Sequence, residues 1–314
     1  MDSDGFRFTW LLRWALLLAL VFPLDAHGAE PDPPAGDSAD AEEKPPAPED
    51  VLLRTKDKLH LHAVYYPGTQ KKNSVPIILL HAYNGDCHDF DDLALLLQKR
   101  GHAVITPDLR GHGESKEIDR DGRAEKIEPR DLRVPDFTDM WKFDLEAVKS
   151  YLIVQNNAGE LNIDKLCVVG AEMGAIIAAD WAELDWSWPV LSSGKQGQDV
   201  KALVLISPES NFKGMKLIDA VSSPDVRSEL AIMLIAGRKN SRYSEEANKL
   251  YKHFAKYHIE KTSPALELLR PDTKLQGTKL LGEKSLGVEA AIVKFIDQLV
   301  KKPYPWDERR SVLE

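Results

Sequence analysis

The stretch Leu166-Cys-Val-Val-Gly-Ala-Glu-Met-Gly-Ala-Ile-Ile-Ala-Ala-Asp180 combines an apolar run, two glycines that flank a three-residue turn, and a row of small residues. The apolar run predicts a buried strand, and the small residues that follow predict a closely packed helix. Glycines at both ends of such a turn let the backbone bend sharply and raise the central side chain above the sheet. That central residue is Glu172.

Two further segments carry information about the fold. Val75-Pro-Ile-Ile-Leu-Leu-His-Ala-Tyr83 is almost continuously apolar until its last three residues. Such a run is typical of a central strand that is buried on both faces. Asp108-Leu-Arg-Gly-His-Gly-Glu-Ser115 follows another apolar run and contains the glycines of a tight turn.

The three motifs, in this order and at this spacing, resemble those of the α/β-hydrolases of the serine-hydrolase superfamily. The resemblance covers residues 51–300. The first motif resembles the nucleophile elbow, the second the strand ending in His-Gly that feeds the oxyanion hole, and the third the R-G-x-G-x-S segment. It implies an α/β-hydrolase fold, in which a mostly parallel central sheet carries helices on both faces. Fold likeness alone leaves the chemistry open.

Apolar periodicity from residue 51 onward predicts alternating strands and helices, which is typical of a mostly parallel sheet. A large helical cap is not expected, since only residues 185–198 separate the elbow's helix from the next strand. The other predicted strands are 51–55, 59–66, 76–82, 102–106, 202–206, 231–236 and 264–269, and the other predicted helices are 91–100, 136–155, 245–256 and 286–301.

The N-terminal residues predict export from the cytoplasm. Arg7 precedes the apolar run Trp10–Phe22, which is too short to span a bilayer, and small residues follow at Ala26-His-Gly28. This is the pattern of a secretory signal peptide over residues 1–28. An uncleaved N-terminal membrane anchor is the alternative. Both predict a secreted or cell-envelope location, with membrane contact only if the signal stays uncleaved.

Residues 29–50 hold six prolines and eight acidic residues against one lysine, which predicts a disordered linker. The linker carries −7 of the chain's net charge of −9, and residues 1–28 carry −1. The remainder, an α/β-hydrolase-like domain over 51–302 and a polar tail over 303–314, is therefore near −1. Without a basic stripe, nucleic acid is not an expected partner.

The residue at the nucleophile position, Glu172, departs from the family pattern. A serine there is activated when a histidine removes its proton, whereas a carboxylate has no such proton and is a poor nucleophile towards esters and amides. The acid position, three residues after the glycine that ends its strand, holds Asn240, with Glu209 as a possible substitute acid. The base position holds Gln276, and no histidine follows His258.

The oxyanion hole is preserved in outline. The resemblance assigns its two donors to the backbone N–H groups of Met173 and Tyr83, with Ala82 where relatives have glycine. His81 is expected to hold this loop by hydrogen bonds. Glu172 is itself expected to accept N–H groups at the start of its helix, where the helix dipole favours a carboxylate.

Histidines and cysteines give no signal for a metal or a cofactor. No histidine pair shows a metal-ligand spacing such as H-E-x-x-H, so neither a metal nor a cofactor is expected. The two cysteines are Cys87, in a loop, and Cys167, within a strand. Two free thiols are expected, with a disulfide as the alternative.

These substitutions favour a non-catalytic protein that binds a small molecule or a protein partner in the former active site. Loss of nucleophile and base typically lowers turnover about a million-fold. A divergent hydrolase that uses Glu172, of esterase, peptidase or carboxylate-nucleophile type, is the alternative. The third hypothesis is that the former active site has no role. The exported domain would then act through its surface, as a component of an assembly or of the cell envelope.

Overall fold

The computed structural model describes residues 45–192, 194–259 and 264–309. Within these residues ten strands form one sheet, and β9 (Asn211–Phe212) and β10 (Met215–Lys216) form a separate short hairpin. The strands of the large sheet are β1 Glu49–Arg54, β2 Leu59–Tyr66, β3 Pro76–Leu80, β4 Ala103–Pro107, β5 Glu117–Arg120, β6 Arg123–Lys126, β7 Leu166–Ala171, β8 Val200–Ile206, β11 Ala231–Ile235 and β12 Leu266–Leu269.

The sheet runs in the order β12-β11-β8-β7-β3-β4-β2-β5-β6, with β1 paired to β2. From β12 to β4 every neighbouring pair is parallel. Strand β2 is antiparallel to β4, β1 and β5. The predicted mostly parallel sheet is therefore confirmed.

Helices cover both faces of this sheet. Along β3, Ile78 and Leu80 enter the apolar core that includes α3 (Leu145–Asn157) and α4 (Met173–Ser187). Ile77 and Leu79 enter the core that includes α1 (Asp91–Lys99) and α8 (Val288–Val300). This alternation follows from the two-residue period of a strand, and it explains why β3 is apolar throughout. The helices are α1 Asp91–Lys99, α2 Val134–Asp139, α3 Leu145–Asn157, α4 Met173–Ser187, α5 Leu217–Val221, α6 Pro224–Glu229, α7 Ser241–Phe254 and α8 Val288–Val300.

The region predicted as one helix over 136–155 contains a change of helix type. A π-helical turn, Met140–Asp144, lies between α2 and α3. Apolar periodicity detects a helix but not which hydrogen bonds it makes, so this turn was not predicted. The β5–β6 hairpin was also missed, because its residues are mostly polar and exposed.

The N-terminal predictions fall mainly outside the described residues. The predicted signal peptide and most of the predicted linker lie before residue 45. Strand β1 begins at Glu49, so it includes the last two residues of the predicted linker. Across the part of the chain that the structure describes, no helix has both the length and the apolar character needed to cross a membrane.

Candidate functional site

Glu172 lies at the turn from β7 to α4 and has a backbone conformation that is unusual for a non-glycine residue, with φ 51° and ψ −109°. The two flanking glycines make this turn possible. A Cβ on Gly170 would lie 2.2 Å from the carbonyl oxygen of Gly174, and a Cβ on Gly174 would lie 2.3 Å from that of Leu80. The turn therefore needs glycine at both positions.

The side chains at the three triad positions meet in one hydrogen-bonded row. Asn240 donates from Nδ2 to Oε1 of Gln276 over 3.0 Å. Because Oε1 of Gln276 is used in this way, its amide nitrogen is the group that donates to the Glu172 carboxylate. The order Glu172, Gln276, Asn240 repeats the order nucleophile, base, acid of a triad.

The loop that carries Gln276 is held against the end of β8. The backbone N–H of Gly277 donates to the hydroxyl oxygen of Ser207 over 2.9 Å, and Ser207 is buried. Gly277 has φ 55°, and a Cβ there would lie 2.5 Å from Oε1 of Glu172. Glycine beside Gln276 therefore leaves room for the longer glutamate side chain.

Electrostatics around Glu172 disfavour its charged form. Partial burial, followed by repulsion from Glu209, raises the pKa of Glu172, while the hydrogen bond from Gln276 lowers it. Glu209, the possible substitute acid, accepts hydrogen bonds from the hydroxyl of Tyr243 at 3.0 Å and the guanidinium of Arg242 at 3.2 Å. It thus adds a second carboxylate to the site.

The expected role of Glu172 at the start of α4 is corrected by the structure. Its carboxylate makes no hydrogen bond to the first turn of the helix and contacts the Gln276 loop instead. Met173, whose N–H was assigned to the oxyanion hole, is the first residue of α4 and is buried. The N–H of a first helical residue has no acceptor within its own helix.

His81 is fully buried and uses both ring nitrogens. Nδ1 donates to the carbonyl of Ala82 over 2.8 Å, and Nε2 accepts from the N–H of Leu109 over 3.0 Å. Burial lowers its pKa, which favours the neutral ring that these bonds require. His81 therefore fixes the loop that carries Tyr83, and a role as a general base would break that arrangement.

Tyr83 is covered by the β9–β10 hairpin. Its hydroxyl donates to the carbonyl of Pro129 over 2.8 Å and accepts from the ammonium of Lys213 over 3.1 Å. The Lys213 nitrogen also lies 4.3 Å from the centre of the Tyr83 ring, and the ring of Phe212 lies 5.3 Å away. A cation and an aromatic cluster thus flank the side chain of Tyr83.

The structure also brings together residues that sequence analysis did not connect. His62, Cys87 and Asp108 each offer a ligand atom, and these atoms lie within 4.8 Å of one another. They line a cavity of about 510 Å³. The three residues are far apart in sequence, so no spacing motif could reveal them. Cys87 and Cys167 are both buried free thiols.

The three side chains Glu172, Gln276 and Asn240, which we call the Glu172 row, can accept hydrogen bonds and a positive charge. They lack the groups that catalyse acyl transfer. An amide at the base position cannot take a proton from a nucleophile at neutral pH, and an amide at the acid position carries no charge to stabilise an imidazolium. A carboxylate remains as the polar group that a ligand would meet.

Comparisons with known proteins agree with this architecture. The family described as "Serine aminopeptidase, S33" matches residues 71–253, more than half of the chain. Among solved structures, a Pyrococcus furiosus esterase has 17% identity and a TM-score of 0.57, covering 80% of this chain and 91% of its own. Esterase LipW from Mycobacterium marinum has 14% identity and a TM-score of 0.55, covering 82% of each chain.

A dienelactone hydrolase from Anabaena variabilis is also similar, with 14% identity and a TM-score of 0.52, covering 81% of this chain and 97% of its own. At these identities the likeness establishes the fold alone. No curated protein sequence matches the chain.

Proposed function

We propose that this chain, which belongs to the S33 serine aminopeptidase family of α/β-hydrolases, is an exported, non-catalytic member that binds a ligand through the former active site. The observation that carries the proposal is the hydrogen-bonded row Glu172–Gln276–Asn240. It stands in the triad positions but contains no activated hydroxyl or thiol and no basic imidazole.

Removing nucleophile and base from a triad enzyme costs about a million-fold in turnover. Binding and the oxyanion hole alone leave roughly a thousand-fold acceleration over water. A rate that low would not sustain an enzymatic function, whereas the same pocket can still provide binding energy.

The ligand chemistry follows from the charges. Glu172 and Glu209 place two carboxylates at the site, and burial, followed by repulsion from Glu209, raises the pKa of Glu172. A ligand carboxylate would add to this repulsion, while an ammonium group or a set of hydroxyl donors would relieve it. A small amine, a polyol, or a protein partner that presents a lysine or an N-terminus is the ligand we expect.

The test compares ester hydrolysis by the full chain with that of the triple variant Glu172→Ser, Asn240→Asp, Gln276→His, with short-chain p-nitrophenyl esters as substrates. We expect no turnover by the wild type and a gain in the triple variant, since the loops that hold the three positions are preserved. In parallel, amines and polyols should raise the melting temperature of the wild type but not of Glu172→Gln.

A divergent hydrolase is the second candidate, and one observation favours it. Glu172 has the positive φ of a residue that is lifted above the sheet edge, the position from which a nucleophile attacks. This candidate predicts turnover by the wild type that disappears in Glu172→Gln. That result would overturn the non-catalytic proposal, and so would the absence of stabilisation by any amine or polyol together with an inactive triple variant.

A further inference from the structure

We propose that His62, Cys87 and Asp108 form a zinc site that is separate from the Glu172 row. The three residues come from strand β2, from the loop after β3 and from the residue after β4, and they line the cavity of about 510 Å³. The proposal does not depend on whether the former active site is catalytic. It contradicts the expectation from sequence that no metal would bind.

The separations of the three side chains suit a tetrahedral ion. Nδ1 of His62 lies 2.9 Å from Oδ2 of Asp108, and Sγ of Cys87 lies 4.0 Å from the same Nδ1. Zinc bonds of about 2.0–2.3 Å place tetrahedral ligand atoms about 3.5 Å apart. These two distances bracket that value, and all three ligand atoms lie within 4.8 Å of one another, so an ion would enter with side-chain shifts of up to about one ångström.

Backbone groups already hold the Asp108 carboxylate in place. Oδ1 accepts the N–H of Cys87 over 2.7 Å, and Oδ2 accepts the N–H of Glu114 over 2.9 Å. A Cβ on Gly113 would lie 2.1 Å from Cγ of Asp108, so the loop approaches this carboxylate closely. An entering ion would replace the contact between Asp108 and His62 and leave both backbone hydrogen bonds intact.

The outer nitrogen of His62 lies near an exposed carboxylate, that of Asp50. Its Nε2 lies 3.4 Å from Oδ1 of Asp50. Histidine ligands generally donate their second ring N–H to a carboxylate, which fixes the tautomer and raises the basicity of the coordinating nitrogen. If Nδ1 coordinates zinc, its proton moves to Nε2, where Asp50 accepts it.

The three ligand atoms determine which metal ion fits the site and which proton is released on binding. One thiolate, one imidazole and one carboxylate form a borderline-soft set that suits Zn²⁺ better than the hard ions Mg²⁺ and Ca²⁺. Coordination requires the thiolate of Cys87, so the thiol proton is released to solvent when the Zn–S bond forms. Three protein ligands leave a fourth position for water, as in open zinc sites.

His112 gives an independent indication that the cavity takes a polar ligand. It lines the same cavity and is buried, with 1% of its surface exposed. Its Nδ1 donates to the carbonyl of Arg110 over 3.0 Å, which leaves Nε2 as an acceptor. Among the described residues this Nε2 has no hydrogen-bond partner. A zinc-bound water would provide the donor that this nitrogen lacks.

The experiment measures Zn²⁺ binding by the metal-free full chain and by two matched variants, Cys87→Ala and Cys167→Ala. Both cysteines are buried, but Cys167 lies within β7 and outside the proposed site. We expect one equivalent of Zn²⁺ to bind the wild type and Cys167→Ala with the same affinity. Cys87→Ala should bind at least about a hundred-fold more weakly, and Asp50→Asn about ten-fold more weakly.

Cobalt gives a second readout, because a thiolate ligand produces an intense charge-transfer absorption band. Co²⁺ should produce this band in the wild type and in Cys167→Ala but not in Cys87→Ala. If Cys87→Ala fails to fold, His62→Gln replaces it, with weaker Zn²⁺ binding as the expected result. Absence of Zn²⁺ binding by the wild type, or equal binding by wild type and Cys87→Ala, would overturn the proposal.

Discussion

At the scale of single residues, Glu172 combines a strained backbone with a partly desolvated carboxylate. Its positive φ belongs to a region that costs of order 1–3 kcal/mol for a residue with a Cβ, and burial adds a penalty for the charged side chain. The hydrogen bond from Gln276 offsets part of that penalty. A residue kept at such a cost is a candidate for function, which is why Glu172 is central to the proposal.

We predict that Glu172→Gln stabilises the protein at neutral pH and that the gain shrinks in acid. The folded state raises the pKa of Glu172, so its carboxyl stabilises the fold while protonated and loses that contribution as the pH rises through the folded pKa. Because the side chain is only partly buried, the gain at about pH 7 should stay below about 1 kcal/mol. Urea unfolding at several pH values measures it.

The exposed glutamate Glu245, on α7, provides the control for this prediction. Glu245→Gln should change the unfolding free energy little at any pH, because water screens an exposed carboxylate. If Glu172→Gln were less stable than the wild type at neutral pH, the carboxylate would be held by favourable contacts, and the charge argument for an amine ligand would fail.

The sequence could place Glu172, Asn240 and Gln276 near one another, whereas it could not reveal the cluster of His62, Cys87 and Asp108. Glu172, Asn240 and Gln276 could be located because glycines and strand ends fix short distances along the chain. His62, Cys87 and Asp108 become neighbours only because β2 pairs with β4 and the loop after β3 lies against the end of β4. Such contacts depend on strand order and register, which a single sequence does not specify locally.

At the scale of elements, the π-helical turn between α2 and α3 places Asp144 against Arg110. The guanidinium lies 2.6 Å from Oδ1 of Asp144, and the backbone N–H of Arg110 donates to Oδ2 over 3.1 Å. Asp57 and Asp139 also pair with this guanidinium, at 2.8 Å and 3.4 Å. The R-G-H-G-E-S segment is therefore held by a buried ion-pair network, which explains its arginine structurally.

We predict that Arg110→Met lowers the free energy of unfolding by about 3–5 kcal/mol, because it leaves the fully buried Asp144 without a charged partner. Arg120→Met is the matched control. Arg120 pairs with Glu125 at the surface, and both side chains are about half exposed, so its loss should cost less than about 1 kcal/mol. Equal effects of the two variants would show that the buried network does not stabilise the fold. Chemical denaturation measures both.

At the scale of the whole molecule, the C-terminal residues extend the domain beyond its last helix. The predicted domain ended at residue 302, followed by a polar tail. In the structure, the carbonyl groups of Tyr304, Asp307 and Arg309 accept hydrogen bonds from the side-chain amides of three asparagines on or near α3: Asn156, Asn157 and Asn162. Composition gave no sign of this, since tail residues are polar whether they pack or not.

Arg309 is the main anchor of this segment. Its guanidinium lies 2.5 Å from Oδ1 of Asp199, and both side chains are almost fully buried. Asp199 also pairs with Lys149 at 3.0 Å and with Lys195 at 3.0 Å. These three cations lower the pKa of Asp199 despite its burial. Its contribution to stability is therefore present above the ordinary pKa of aspartate and is lost as the pH falls through the lowered value.

We predict that Arg309→Ala lowers the free energy of unfolding by about 1.5–3 kcal/mol near neutral pH, the range for hydrogen bonds to charged groups. The loss should not be larger, because two lysines still neutralise Asp199. The loss should be accompanied by faster proteolysis after residue 302, since the segment loses its buried anchor. Arg238→Ala, which removes an exposed pair with Asp272, is the control and should leave both unchanged. Unaltered stability and protease resistance in Arg309→Ala would mean that the asparagine contacts alone hold the C-terminal segment against the domain.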